Sequence, residues 1–157
     1  MPFDPQAQRR IMGRFATGVT VVTTRHGDTL GGMTANAVVS LSLEPPLVLV
    51  AVDRRAQLHP LLLESKCFAV NILSAAQEQL SRRFATGGPK EFSDLALSES
   101  VTGAPILAEA LGHVECRLVE VLSGGDHDMF IGEIVAGDSR EGRPLLFFAG
   151  KYAQLVD

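Results

Sequence analysis

The sequence predicts a mainly β domain, an antiparallel barrel or sandwich with a few short flanking helices. Three observations lead there. Short runs rich in β-branched residues recur along the chain, only two or three segments keep a helical period, and strands never alternate with long helices as a doubly wound sheet requires. A length of 157 residues suits one domain spanning residues 1–157, and 46% hydrophobic with 20% charged residues is enough for one sizeable core.

Asp4-Pro5 reads as an N-cap followed by proline in the first turn of a helix, with Ile11, Met12 and Phe15 on one face before Gly18. Gly18 to Arg25 (GVTVVTTR) is β-branched without helical period, and His26-Gly27-Asp28 is turn chemistry. Residues 30–43, small and hydroxyl-rich, and residues 47–52 (LVLVAV) form two further strands joined by the rigid bend Glu44-Pro45-Pro46. Residues 56–65 read as a short helix, since Leu58, Leu61 and Leu62 recur at helical spacing and Pro60 falls in the first turn.

Cys67 to Leu73 is a strand, and Ser74 caps a helix over 75–86 in which Leu80 and Phe84 lie four apart. Residues 87–103 carry turn residues and little period, so they are expected to form a long surface excursion and the best candidate for a mobile lid. Residues 113–122 and 129–135 alternate apolar and polar around Ser123-Gly124-Gly125-Asp126, the signature of a hairpin. Residues 144–148 make a last strand, and Gly150-Lys151-Tyr152 closes the chain as a polar aromatic segment.

Several function classes are disfavoured at this level. The net charge is −4 and the arginines occur as isolated pairs, so no basic stripe awaits a nucleic acid. The longest clean apolar run, Leu47 to Val52, is too short to cross a bilayer, and the N-terminus has no apolar signal core, so no membrane partner and a cytoplasmic location are expected. Cys67 and Cys116 sit in apolar strands without metal-ligand spacing and read as buried free thiols. The sequence lacks GxSxG, HExxH, P-loop and paired CxxC motifs, and no GxGxxG joins a strand to a helix. His26, His59 and His113 read as surface or turn residues.

Gly32 to Ala37 (GMTANA) is open to two interpretations. Small residues in an extended segment let a planar ligand approach the backbone, with Thr34 and Asn36 hydrogen-bonding its heteroatoms; equally, they let a barrel strand close tightly.

The segments FATGVTVVTT (15–24), GGMTANAVVSLSLEPPLVLVAVD (31–53), CFAVNIL (67–73), SRRFA (81–85), GDHDMFIGEIV (125–135) and PLLFFAGKYAQL (144–155) occur in an order that resembles the flavin reductase-like, FMN-binding split-barrel family. The resemblance spans nearly the whole chain and is strongest to reductase components of two-component flavin-dependent aromatic monooxygenases, of the 4-hydroxyphenylacetate 3-monooxygenase type. It implies a split barrel that transfers hydride from NADH or NADPH to FMN or FAD, works as a homodimer, and releases reduced flavin to a separate flavin-dependent monooxygenase. An alternative on the same fold is a flavin-retaining electron carrier or sensor; a non-catalytic small-ligand barrel is a third.

Carried residue by residue, the resemblance assigns flavin contacts to Gly32, Met33, Thr34, Ala35, Asn36 and Ala37, with Ser40 nearby, and to Ala51, Val52 and Asp53 on the next strand. It adds Gln57 and Leu58 after that strand, and Arg83 and Phe84 as an arginine–phenylalanine pair. Where many members carry hydroxyls, this chain has Arg55, Ala56 and Leu58, so Arg54 or Arg55 is a candidate charge-assisted phosphate ligand. His127, set between Asp126 and Asp128, becomes a candidate for positioning the nicotinamide, with Asp126 able to fix its tautomer. So short a chain leaves no room for a separate nicotinamide domain, which puts the nicotinamide directly over the flavin with Lys151 and Tyr152 as secondary contacts. An open barrel also leaves apolar strand surface for a second subunit, and Phe147-Phe148 are candidates for that cover.

Overall fold

The computed structural model describes residues 1–157. Its strands are β1 (Thr17–Gly18), β2 (Thr20–His26), β3 (Thr29–Ala35), β4 (Val38–Leu43), β5 (Pro46–Asp53), β6 (Cys67–Ile72), β7 (Leu97–Ser98), β8 (Ile106–Leu107), β9 (Gly112–Gly124), β10 (His127–Ser139), β11 (Leu146–Phe148) and β12 (Lys151–Ala153). Helix α1 (Pro5–Met12) opens the chain, α2 (Leu58–Ser65) follows β5, and α3 (Glu78–Ala85) follows β6 through a single 3-10 turn at Ala75–Gln77. No helix is long and apolar enough to cross a membrane.

Seven strands form one antiparallel sheet in the order β3-β2-β6-β9-β10-β5-β4. Its two edges, β3 and β4, are consecutive in the chain and separated only by Asn36 and Ala37. A flat sheet of seven strands would hold its edges about 29 Å apart, six spacings of about 4.8 Å. Three peptide steps from Ala35 to Val38 reach about 11 Å at most. The sheet must therefore curl until its edges approach at that point, and since no ladder joins β3 to β4, the result is a split barrel. The sequence reads 30–43 as one strand; the structure breaks it at Asn36-Ala37 because the chain there leaves one edge and joins the other.

Strand alternation fills the interior. Val48, Val50 and Val52 of β5 point inward and meet Phe68, Phe130 and Cys116, while Leu58 and Leu62 of α2 plug one end. A second cluster outside the wall packs Phe84 of α3 with Val19, Val21, Leu73, Phe92 and Leu145. Serine and glutamine at 74 and 77 form a capping box ahead of α3, the Ser74 N–H donating to Gln77 Oε1 at 2.8 Å, as the sequence expects of Ser74. Strands β9 and β10 run longer than expected, because their ladder continues to Gly124 opposite His127 and leaves a two-residue turn, Gly125-Asp126. Gly125 has φ 70, which a primed hairpin turn asks of glycine.

Two expectations change. Helix α1 ends at Met12 with Gly13 as its cap, and its apolar face is not buried: Ile11, Met12 and, beyond the helix, Phe15 are exposed. The excursion 87–103 is anchored rather than a free lid. Phe92 is buried, β7 pairs with β8, and Glu115, itself 2% exposed on β9, accepts hydrogen bonds from the Ser100 and Thr102 hydroxyls and from the Val101 and Thr102 N–H groups at 2.7–3.2 Å. Burial alone would raise the Glu115 pKa, but the bonds from Thr102 and Ser100 outweigh it and hold it below the ordinary value.

A carboxyl whose pKa is lower folded than unfolded stabilises the fold fully above its unfolded pKa, about 4.3, and loses that contribution as pH falls through the folded value. Acidification should therefore free the 99–104 segment before the barrel melts, seen as faster amide exchange at Val101 and Thr102. Glu115→Gln should produce the same loosening at neutral pH and cost about 1–3 kcal/mol in denaturant unfolding.

Candidate active site

A cleft of about 500 Å³ opens on the side of the barrel where β3 ends. Its floor is Gly32 to Asn36, one wall is the turn Arg55–Leu58, and the other is the face of α3 bearing Ser81, Phe84 and Ala85, continued by Thr86, Gly87, Gly88 and Lys90. Phe147 and Tyr152 close one end. The volume falls within the range of small-molecule and cofactor sites, which run about 300–1,000 Å³.

The small residues of β3 serve helix packing at two positions. A Cβ on Gly32 would lie 2.6 Å from the Phe84 ring, and one on Gly31 would lie 2.5 Å from Leu61 Cδ2, so these glycines seat α3 and α2 against the strand. Thr34 is also engaged: its hydroxyl donates to the Ser81 carbonyl at 2.6 Å. Ser81 Oγ in turn lies 2.6 Å from the Tyr152 hydroxyl. Tyr152 is further held edge-on to Phe147 with centroids 5.4 Å apart, and the Arg82 guanidinium sits 4.8 Å over its ring. Asn36 stands exposed at the cleft floor.

The two arginines after β5 diverge. Arg55 lines the cleft with a side chain 86% exposed, and its guanidinium and N–H bind the Asp53 carboxylate at 2.8–3.2 Å. Those bonds draw the Asp53 pKa down to about 2. Arg54 turns away. It donates to Asp128 Oδ1 at 2.9 and 3.1 Å, to Ser123 Oγ at 2.6 Å and to the Gly125 carbonyl. Arg55, not Arg54, is thus the arginine at the cleft.

His127 stands at the start of β10, opposite Asp53 in register, and is not among the residues that line the cleft. Its Nδ1 lies 2.7 Å from Asp126 Oδ1, and this bond lowers the Asp126 pKa. An ionised carboxylate can only accept, so Nδ1 carries the proton and Nε2 is the ring atom left for a ligand.

Of the residues the family resemblance points to, the cleft lining gathers Gly32 to Asn36, Arg55, Gln57, Leu58, Phe84 and Tyr152. Outside it lie Ala37, whose carbonyl accepts from Ala51 N–H at 3.0 Å, Ser40 on the edge strand β4, and Val52, wholly buried in the barrel. Asp53 lies one contact behind Arg55. Arg83 faces away, its guanidinium bound to Asp94 at 2.8 and 2.9 Å, and exposed Lys151, at the start of β12, pairs with Phe148 of β11. Sequence reasoning missed Ser81, Ala85 and Lys90. The i, i+3, i+4 spacing of Ser81, Phe84 and Ala85 is the signal that was there to find. It also missed His59, which is 13% exposed rather than a loose turn residue; its Nε2 lies 2.7 Å from Asp128 Oδ2 and its ring stands edge-on to Phe130. Cys116 is the inert thiol expected, its pKa pushed up to about 12 by burial and by Glu115.

The split barrel thus carries an open, mixed polar and apolar cleft beside its free edge, a cavity of the kind that takes a small molecule or cofactor. Residues 12–156 match the model of the flavin reductase like domain, and the chain belongs to that family. It is 44% identical over 155 residues to the reductase component of 4-hydroxyphenylacetate 3-monooxygenase of Thermus thermophilus, covering 96% of this chain and 97% of that protein. It is 42% identical over 164 residues to an NADH-dependent FAD reductase of Streptomyces globisporus, covering 99% and 88%. The solved structure of flavin reductase PheA2 in its native state superposes with a TM-score of 0.91 at 43% identity, covering 99% of this chain and all of that one.

Proposed function

We propose that this chain is an NAD(P)H:flavin oxidoreductase, which transfers hydride from a nicotinamide nucleotide to FMN or FAD and supplies the reduced flavin to a partner monooxygenase. The observation that carries it is the cleft over β3, which combines apolar Met33, Leu58, Phe147 and Tyr152 with two cations, Arg55 and Lys90, in a chain of the flavin reductase family. When bound, the flavin supplies the two-electron acceptor for the hydride.

The residues present fit a flavin phosphate and ring. Arg55 and Lys90 stand at the cleft as cations for phosphate oxygens, and Arg55 offers the bidentate fork suited to them. Asn36 offers both a donor and acceptor to ring heteroatoms, and the apolar side chains exclude water from the faces. Asp53 supports this lining by holding Arg55, while Ala37, Ser40, Ala51, Val52, Arg83 and Lys151 stand outside it. Hydride transfer asks the protein for orientation rather than a nucleophile. We assign that task to His127, whose Nε2 is free to bond the nicotinamide carboxamide while Asp126 holds Nδ1.

Residues 1–157 act in this reading as one flavin reductase domain, placed in the cytoplasm where its nucleotide co-substrate and its reduced thiols belong. The chain further acts as a homodimer. The edge strand β4 exposes Val39, Leu41 and Leu43, and Ile11, Met12, Phe15 and Phe148 are exposed as well. A mass of one chain by light scattering at micromolar concentration would argue against the dimer.

The activity test is oxidation of NADH or NADPH, followed at the reduced-nicotinamide band, with FMN or FAD added; no flavin-dependent oxidation with either nucleotide would overturn the proposal. His127→Ala should raise the nucleotide KM about tenfold, the loss of one charge-assisted or polar contact, and leave flavin affinity unchanged. Steady-state kinetics beside a flavin fluorescence titration would check it.

A further inference from the structure

The Asp128 carboxylate has both oxygens engaged by different elements. Oδ1 accepts from Arg54, at the end of β5, at 2.9 and 3.1 Å; Oδ2 lies 2.7 Å from His59 Nε2, in the first turn of α2. Because Cβ atoms alternate across a strand, Asp128 shares the inward face of β10 with Phe130, and the His59 ring rests edge-on against that phenylalanine at 5.3 Å. Asp128 and His59 are 16% and 13% exposed, which sets this pair apart from the open surface pairs of the molecule. Arg54 and His59 together hold the Asp128 pKa below its usual value, so the carboxylate stays charged through neutral pH.

Arg54 extends the network to the hairpin tip itself. Its remaining donors reach Ser123 Oγ and the Gly125 carbonyl, and its backbone N–H donates to the Asp126 carbonyl at 3.1 Å. Between Arg54 and His59 lie the residues that line the cleft, Arg55 to Leu58. Between Ser123 and Asp128 lies His127. Both ends of each segment are therefore bound into one cluster.

We propose that Asp128, with Arg54 and His59, is a positioning cluster that fixes the His127 hairpin against the cleft wall Arg55–Leu58, and so sets the nicotinamide-binding half of the site relative to the flavin-binding half. It rests on the functional reading above for what the two halves bind, and on geometry alone for the coupling between them. Neither Asp128 nor His59 lines the cleft; both act through the segments they hold.

The test separates those two parts. Amide exchange in the ligand-free protein reads the coupling: Asp128→Asn, which keeps size and removes charge, should quicken exchange at both 53–58 and 123–128, and Arg143→Ala, which breaks an exposed pair at the other end of the chain, should not. Steady-state kinetics reads the consequence: kcat should fall about tenfold as the two halves lose alignment, and KM for nucleotide and for flavin should both rise about tenfold, whereas a general loss of folded protein leaves both KM values unchanged. His59→Gln should do the same at about threefold, and it carries the test if Asp128→Asn fails to fold. Combining Asp128→Asn with His127→Ala should raise the nucleotide KM no further than the larger single effect. Exchange that quickens in one segment only, or in neither, overturns the cluster. Exchange that quickens in both with unchanged KM values keeps the cluster and overturns the assignment of the two segments to flavin and nicotinamide.

Discussion

The structure depends on one geometric constraint, the two-residue passage from β3 to β4 through Asn36 and Ala37. Six strand spacings separate the edges of this sheet along its hydrogen-bonded order, and three peptide steps join them. Curling follows, and with it an enclosed face for Val48, Val50, Val52, Phe68 and Phe130. The same passage leaves the two edge strands without a shared ladder. Backbone and side chains near the end of β3 are consequently accessible beside the split, and the cleft opens there.

Much of this was legible in the sequence because it rests on local rules. The strand at 47–52, the Ser74 cap before α3 and the glycine turn of the β9–β10 hairpin follow from residue type and turn chemistry, and the structure contains them as expected. The break at Asn36-Ala37 was not legible, since residues 30–43 are uniformly compatible with extended backbone and only the global order of strands decides where they part. The anchoring of 87–103 was hidden for a similar reason. Its hydrogen-bond acceptor, Glu115, lies on a strand whose alternation marks it as an ordinary polar position, and nothing local says that it faces a loop rather than water.

The candidate site divides along the same line. Gly32 to Asn36, Leu58 and Phe84 come together because a family order and a helical face both point to them. The role of the glycines needed the structure, for a strand of small residues looks alike whether it admits a ligand or a helix. Here Gly31 and Gly32 admit Leu61 and Phe84, and the positions further along the strand line the cleft.

Arg54 and Arg55 show how chain direction assigns chemistry that composition cannot. As adjacent residues they offer the same guanidinium, and in sequence either could meet a phosphate. Leaving β5, however, one side chain follows Val52 toward the barrel end, where the Asp128 carboxylate waits, and the other follows Asp53 toward the cleft. The inward arginine spends its donors on Asp128, Ser123 and Gly125, so little of its charge is left for a ligand. The outward one, its side chain 86% exposed, is held by a single carboxylate, Asp53, and an arginine so open to water gives up such a partner at little cost. A phosphate arriving at the cleft would therefore compete with Asp53 for Arg55, while Arg54 keeps the turn beneath it in place.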